Sequence, residues 1–133
     1  MNTQYFPEAS AILRNAIDSH LKGQKVAVLG HRRPDGDCIG SQVALSRVLL
    51  QNGVDAIAVN PDPATRVLEP FIGDTPFSPF KDFSHDGHVA VTTDCADLSR
   101  VGPDLSALFP EPILNVDHHI SNTRFASENI VLD

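Results

Sequence analysis

Apolar positions along the chain follow two alternating rhythms. Between residues 8 and 22 they recur at Ala9, Ile12, Leu13, Ala16, Ile17 and Leu21, the spacing of a helix with one buried face. Pro7 suits its first turn and Gly23 its stop. "KVAVLG" at 25–30 then has no polar alternation, as a strand covered on both faces should. Helical spacing returns from Ile39 to Gln51 through Ala44, Leu45, Val48 and Leu49, and Asn52-Gly53 closes the helix. Further strands are predicted at 54–59, 88–93 and 112–116, and "ENIVLD" begins a fifth. The Pro-rich stretch 60–80 reads as a connection with one short helix around 64–69, and 96–109 as a short helix or loop. There is no internal repeat.

Strands alternating with helices or long crossovers predict an α/β fold: a mainly parallel sheet with flanking helices, three layers deep, joined by right-handed connections. At 133 residues the length fits one domain. Ligands of such sheets sit at the carboxyl ends of the strands. That rule sorts the candidate chemistry.

Three predicted strands run directly into acidic or imidazole residues. The first delivers His31, Asp35 and Asp37 in "GHRRPDGDCIGS"; the one at 88–93 delivers Asp94; the one at 112–116 delivers Asp117, His118 and His119. Each motif alone has an ordinary explanation. "PDGD" makes a turn, Asp94 could cap the next segment, and "DHH" could lie in an exposed loop. Together, at one edge of a parallel sheet, they predict a single cluster. Several carboxylates in one crevice repel and raise one another's pKa, a conflict that divalent cations remove. Carboxylate and imidazole donors without thiolate suit Mn(II) or a similar ion better than structural zinc. The donor count exceeds one ion, so two metals are expected, an arrangement suited to in-line phosphoryl displacement.

Composition narrows the class. Hydrophobic residues make up 41% of the chain, ordinary for a globular protein. No apolar run approaches the ~20 residues of a membrane helix, and the N-terminus lacks the pattern of a secretory signal, so the expectation is a soluble, cytoplasmic protein with no membrane partner. A formal charge of −7 argues against non-specific binding of long nucleic acid; two bound divalent ions would carry it to −3. Cys38 and Cys95 are too few for a disulfide framework and each follows a singled-out aspartate. They read as small buried thiols, with a regulatory disulfide open if the two loops meet. Arg32, Arg33 and Arg124 are available to hold phosphate or are simply solvated. His85 and His88 fall before a strand, at the opposite edge, and read as surface residues; His20 reads as a helix end.

The three motifs resemble those of the catalytic domain of the DHH phosphoesterase superfamily: "HRRPDGDCIGS" its first, "TTDCAD" its second and "NVDHHISN" the one that names it. The resemblance runs from about Lys25 to Asn122. Within the superfamily the chain looks most like the nano-RNase and pAp phosphatase branch, bifunctional oligoribonucleases that degrade very short RNA and dephosphorylate phosphoadenosine phosphate. Cyclic-dinucleotide phosphodiesterases, RecJ-like exonucleases and inorganic pyrophosphatases are the alternatives, and a non-catalytic binding or regulatory module is the rival from another class.

The resemblance implies His31 and Asp35 on one metal, Asp37 and His118 on the other, and Asp94 bridging. It makes Asp117 a carboxylate that orients an imidazole and His119 the group facing the substrate phosphate. Ser41, with Gly40 in the first turn of the following helix, and Arg124 are candidates for substrate binding; Gly36 is expected to need unusual backbone angles and Gly40 to serve close packing or an open helix end. Short oligoribonucleotides or nucleotide phosphates are the implied substrates, two Mn(II) ions the cofactors, and a homodimer an open assembly. The family's further metal-binding aspartate is not matched, Asp133 falling too early. Its second domain is not expected within these residues either. Residues 1–133 are therefore expected to be an incomplete catalytic domain with impaired activity.

Overall fold

A computed structural model describes residues 5–132; Asp133 and the first four residues lie outside it. Six strands form one sheet: β1 (Lys25–Leu29), β2 (Asp55–Asn60), β3 (Phe77–Pro79), β4 (Val89–Thr93), β5 (Leu114–Asp117) and β6 (Glu128–Val131). Their order is β3-β2-β1-β4-β5-β6, and every pairing is parallel. The helices are α1 (Pro7–Ala16), α2 (Gly36–Gln51), α3 (Glu69–Ile72) and α4 (Pro103–Leu108). Among the described residues no helix is long and apolar enough to cross a membrane.

The absence of polar alternation in β1 has the expected cause. Val26 and Val28 face one core, with Ala16, Leu21, Leu45 and Leu49 from the α1–α2 side. Ala27 and Leu29 face the other, with Val101, Leu105 and Phe109 from the α4 side. Helical layers thus cover both faces of the sheet, the predicted three-layer α/β arrangement. α1 carries Pro7 in its first turn and widens into a π-helical turn over Ile17–Leu21, so that His20 lies inside that turn. Gly23 then leaves the helix at φ 83°.

Three predicted elements differ. Phe77–Pro79 pairs with Ala58–Asn60 as an edge strand where a plain connection is expected. Three residues ending in proline carry no periodic signal, and proline is tolerated only because this edge donates nothing further. α2 begins at Gly36 rather than Ile39, because Asp35 caps it: its Oδ1 accepts from the Cys38 amide at 2.9 Å. The short helix expected at 64–69 lies at Glu69–Ile72.

α2 is locked to the sheet beneath the site. The Gln42 side chain is fully buried and donates to the Val28 carbonyl at 2.9 Å. Gly30 makes this approach feasible, since a Cβ there would lie 2.4 Å from Gln42 Oε1 and 2.6 Å from Cys38 Sγ. The absent methyl at position 30 sets how deeply the start of α2 sits against β1.

Candidate metal centre

The chain builds β1, β2 and β3 outward in one direction, then returns to place β4 on the other side of β1. At such a switch point the loops leaving the two central strands part and open a crevice. His31 follows β1 and Asp94 follows β4, so both stand at its floor. Asp117 ends β5, the next strand over, and His118 and His119 leave from it.

Asp94 is the buried centre of the group, 6% exposed. Its backbone is left-handed at φ 55°, a conformation sparsely populated outside glycine, and its amide is tied to the Val116 carbonyl at 3.0 Å. This turn sends its two carboxylate oxygens to different neighbours. Oδ2 lies 3.3 Å from His31 Nε2, while Oδ1 lies 2.9 Å from His118 Nε2. Asp35 Oδ1 joins the first group at 3.7 Å from His31 Nε2, and Asp37 Oδ2 the second at 3.0 Å from His118 Nε2. Burial, then the charge of Asp37, raises the Asp94 carboxyl above its ordinary pKa. The hydrogen bond to Asp94 raises that of His118.

Asp117 behaves differently. Burial alone would raise its pKa, but hydrogen bonds from Asn122 and His119 outweigh it and hold the carboxyl below its ordinary value. His119 Nδ1 lies 2.7 Å from Asp117 Oδ1, and Asn122 donates to Oδ2 at 2.7 Å. His119 Nδ1 stands 3.9 Å from Asp94, too far for a hydrogen bond.

The donors fit divalent cations. His31 Nδ1 lies 2.7 Å from the Arg32 carbonyl, which can only accept, so Nδ1 carries the proton. In a neutral ring Nε2 then turns a lone pair toward the oxygens of Asp94 and Asp35. Lone pairs converging from an imidazole and two carboxylates repel unless a proton or a metal cation lies among them. A backbone carbonyl on the far nitrogen is also the usual means of orienting a metal-binding imidazole. Asp94, Asp117, His118 and His119 offer donor atoms within 4.8 Å of one another, as do His31, Cys38 and Asp94. Cys38 is a poor donor beside these carboxylates, because burial pushes its thiol from 9.0 up to about 12.

The cluster therefore brings together His31, Asp35, Asp37, Asp94, Asp117, His118 and His119. It borders a cavity of about 200 Å³ whose wall also includes Ala96, Arg100 and Ser121. Ser41 and Arg124 do not line this cavity. Ser41 sits in the second turn of α2, its hydroxyl donating back to the Asp37 carbonyl at 2.7 Å. Arg124 is exposed at φ 53°, its amide bonded to the Asn122 side chain at 2.7 Å. Gly36 is the first residue of α2 and needs no left-handed backbone, and a Cβ on Gly40 would meet nothing within 4 Å, so neither glycine plays its expected part. Arg100 and Asn122 are functional candidates that the sequence pattern does not single out. Only the Asn122 position, inside "NVDHHISN", offers a signal. Cys38 and Cys95 are free and buried, with burial raising both thiols.

Residues 25–132 match the family described as the DHH family, N-terminal domain. The crystal structure of an exopolyphosphatase-related protein from Bacteroides fragilis has a similar fold, with a TM-score of 0.77 at 20% identity. That likeness covers 98% of this chain and 40% of the other, so the chain spans well under half the length of its structural neighbour. No curated protein matches the chain.

Proposed function

The chain belongs to the DHH family, matched over residues 25–132, and from that premise we propose that its cluster is the centre of a metal-dependent phosphoesterase. The observation that carries this reading is the division of labour at Asp94, whose two oxygens serve two separate donor groups. His31 and Asp35 would hold one cation, Asp37 and His118 the other, and Asp94 would contact both. Oxygen and imidazole donors without thiolate suit Mn(II) or a similar ion better than structural zinc. When bound, two such ions supply Lewis-acid charge and an activated water for in-line displacement at phosphorus.

The chain's own residues supply the rest. His119 lines the cavity with Nδ1 held by Asp117. Asp117 accepts from Nδ1–H and holds the ring in place, which leaves Nε2 as the atom to meet the leaving oxygen as hydrogen-bond partner or acid. Asn122 fixes Asp117 in turn. Arg100, also on the wall, can neutralise a non-bridging phosphate oxygen. Short oligoribonucleotides and phosphoadenosine phosphate are the proposed substrates, on the form of the first motif.

The test is turnover of both substrates by the purified protein with Mn(II), and again after exhaustive chelation. Metal-dependent release of mononucleotide or phosphate is expected. No release from either substrate, nor from a cyclic dinucleotide or pyrophosphate, would remove the phosphoesterase reading.

A further inference from the structure

Beside the metal-centre cavity lies a second, of about 460 Å³, lined by Arg32, Arg33, Arg100 and Asp62. Arg100 stands on the walls of both. In a chain of net charge −7, three of the ten lysines and arginines meet at this one place.

The backbone under the cavity is held firmly. Arg32 N–H donates to the Arg100 carbonyl at 2.9 Å, joining the loop after β1 to the one after β4. Arg33 is left-handed at φ 51°, a costly conformation for arginine, and its N–H donates to Asp62 Oδ2 at 2.8 Å. The Arg32 stem rests over Gly102, where an added Cβ would lie 3.5 Å from its Cγ and Cδ. The charged ends are not engaged. Lys22 pairs with Asp18, Lys25 with Asp86, and Arg47 reaches Thr75, whereas Arg14, Arg66, Lys81 and Arg124 are unpaired among the described residues but line no common cavity with these three. Among the described residues, the guanidinium groups of Arg32, Arg33 and Arg100 make no ion pair and no hydrogen bond.

Two loops tied together at the backbone, with three unpartnered guanidinium groups between them, are organised for an anion from outside. Planar forks of donors match the tetrahedral oxygens of phosphate, and preorganised backbone reduces the entropy lost on binding. We propose that this cavity is a second phosphate subsite, holding the phosphate next to the one at the metal centre. The scissile half of that statement rests on the phosphoesterase reading; the anion site does not. Substrates with two neighbouring phosphates, such as a nucleoside bisphosphate, a dinucleotide or a short polyphosphate, then engage both cavities. A simple monoester engages one. Arg100 links the two.

The probe is inorganic phosphate, titrated into the metal-free protein and followed by phosphorus NMR and calorimetry. The unmodified protein is expected to bind it. Arg32→Gln combined with Arg33→Gln should weaken binding at least about tenfold, roughly the loss of one charge-assisted hydrogen bond. Arg100→Gln, on a different loop, should weaken it similarly and guards against misfolding of the double variant. The same variants should raise KM for phosphoadenosine phosphate. Equal phosphate affinity in all of these proteins, or no binding by any, would overturn the subsite. Binding that the variants lose, in a protein that hydrolyses nothing, would support the subsite and remove only the phosphoesterase reading.

Discussion

Asp117 holds the His119 ring through a 2.7 Å contact between Oδ1 and Nδ1, while its other oxygen is occupied by Asn122. The pair fixes which ring nitrogen faces the cavity. Asp117→Asn keeps the shape but replaces one oxygen by an amide that can donate, so the contact that orients the His119 ring is weakened. We expect kcat to fall about 10–100-fold, the usual penalty for losing such a supporting carboxylate, with bound metal retained. The check is kcat beside metal content. A kcat equal to that of the unmodified protein would deny His119 its assigned part.

Asp94 is the one carboxylate shared by both donor groups. Asp94→Ala should therefore lower both metal occupancies, whereas Asp37→Ala should lower one. Metal counting by mass spectrometry after dialysis distinguishes them. Two ions still bound per Asp94→Ala chain would rule out a bridge.

Much of this arrangement is legible in the order of residues alone. The uninterrupted apolar run of β1 and the strand-end positions of His31, Asp94 and Asp117 need only the pattern of the chain and the geometry of parallel sheets. What escapes that pattern is set by contacts between distant segments. β3 is three residues long and owes its existence to pairing with β2. The early start of α2 depends on an Asp35 that is both cap and candidate ligand, a double use that spacing does not reveal. Gly30 carries no local signal because its need comes from Gln42 and Cys38 on the next element, while Gly36 and Gly40, inside the motif, invite a role their surroundings do not support. Arg100 lies outside every motif and reaches the site only through the return of β4 beside β1.

The two glycines Gly30 and Gly40 make opposed predictions. Gly30→Ala drives a methyl group to within 2.6 Å of buried Gln42 and Cys38 atoms, so α2 must shift. Overpacking of this kind costs about 1–3 kcal/mol, and the shift moves Asp35 and Asp37, so metal affinity should fall with stability. Gly40→Ala places its methyl in open space in the interior of the same helix and should stabilise by about 0.5–1 kcal/mol. Urea melts with and without metal test both. A neutral Gly30→Ala would mean that the packing under the site is loose.

His88 gives the protein a pH response that is independent of the metal centre. Its ring packs edge-on against Phe83, with centroids 5.0 Å apart. Partial burial lowers its pKa below 6.5, Lys25 and His85 add to that lowering, and Asp55 and Asp86 oppose it. A depressed folded pKa means that the unfolded chain takes up this proton first. The stability that neutral His88 contributes is present above pH 6.5 and is lost as pH falls through the lower folded value. Because the ring is partly exposed, the loss should be a modest one. His88→Phe keeps the packing against Phe83 and removes the proton, so its stability should decline less steeply on the acid side of neutrality. Histidine NMR titration reads the pKa, and parallel denaturant melts read the slope. Identical slopes in the two proteins would show that His88 is not a source of the acid sensitivity.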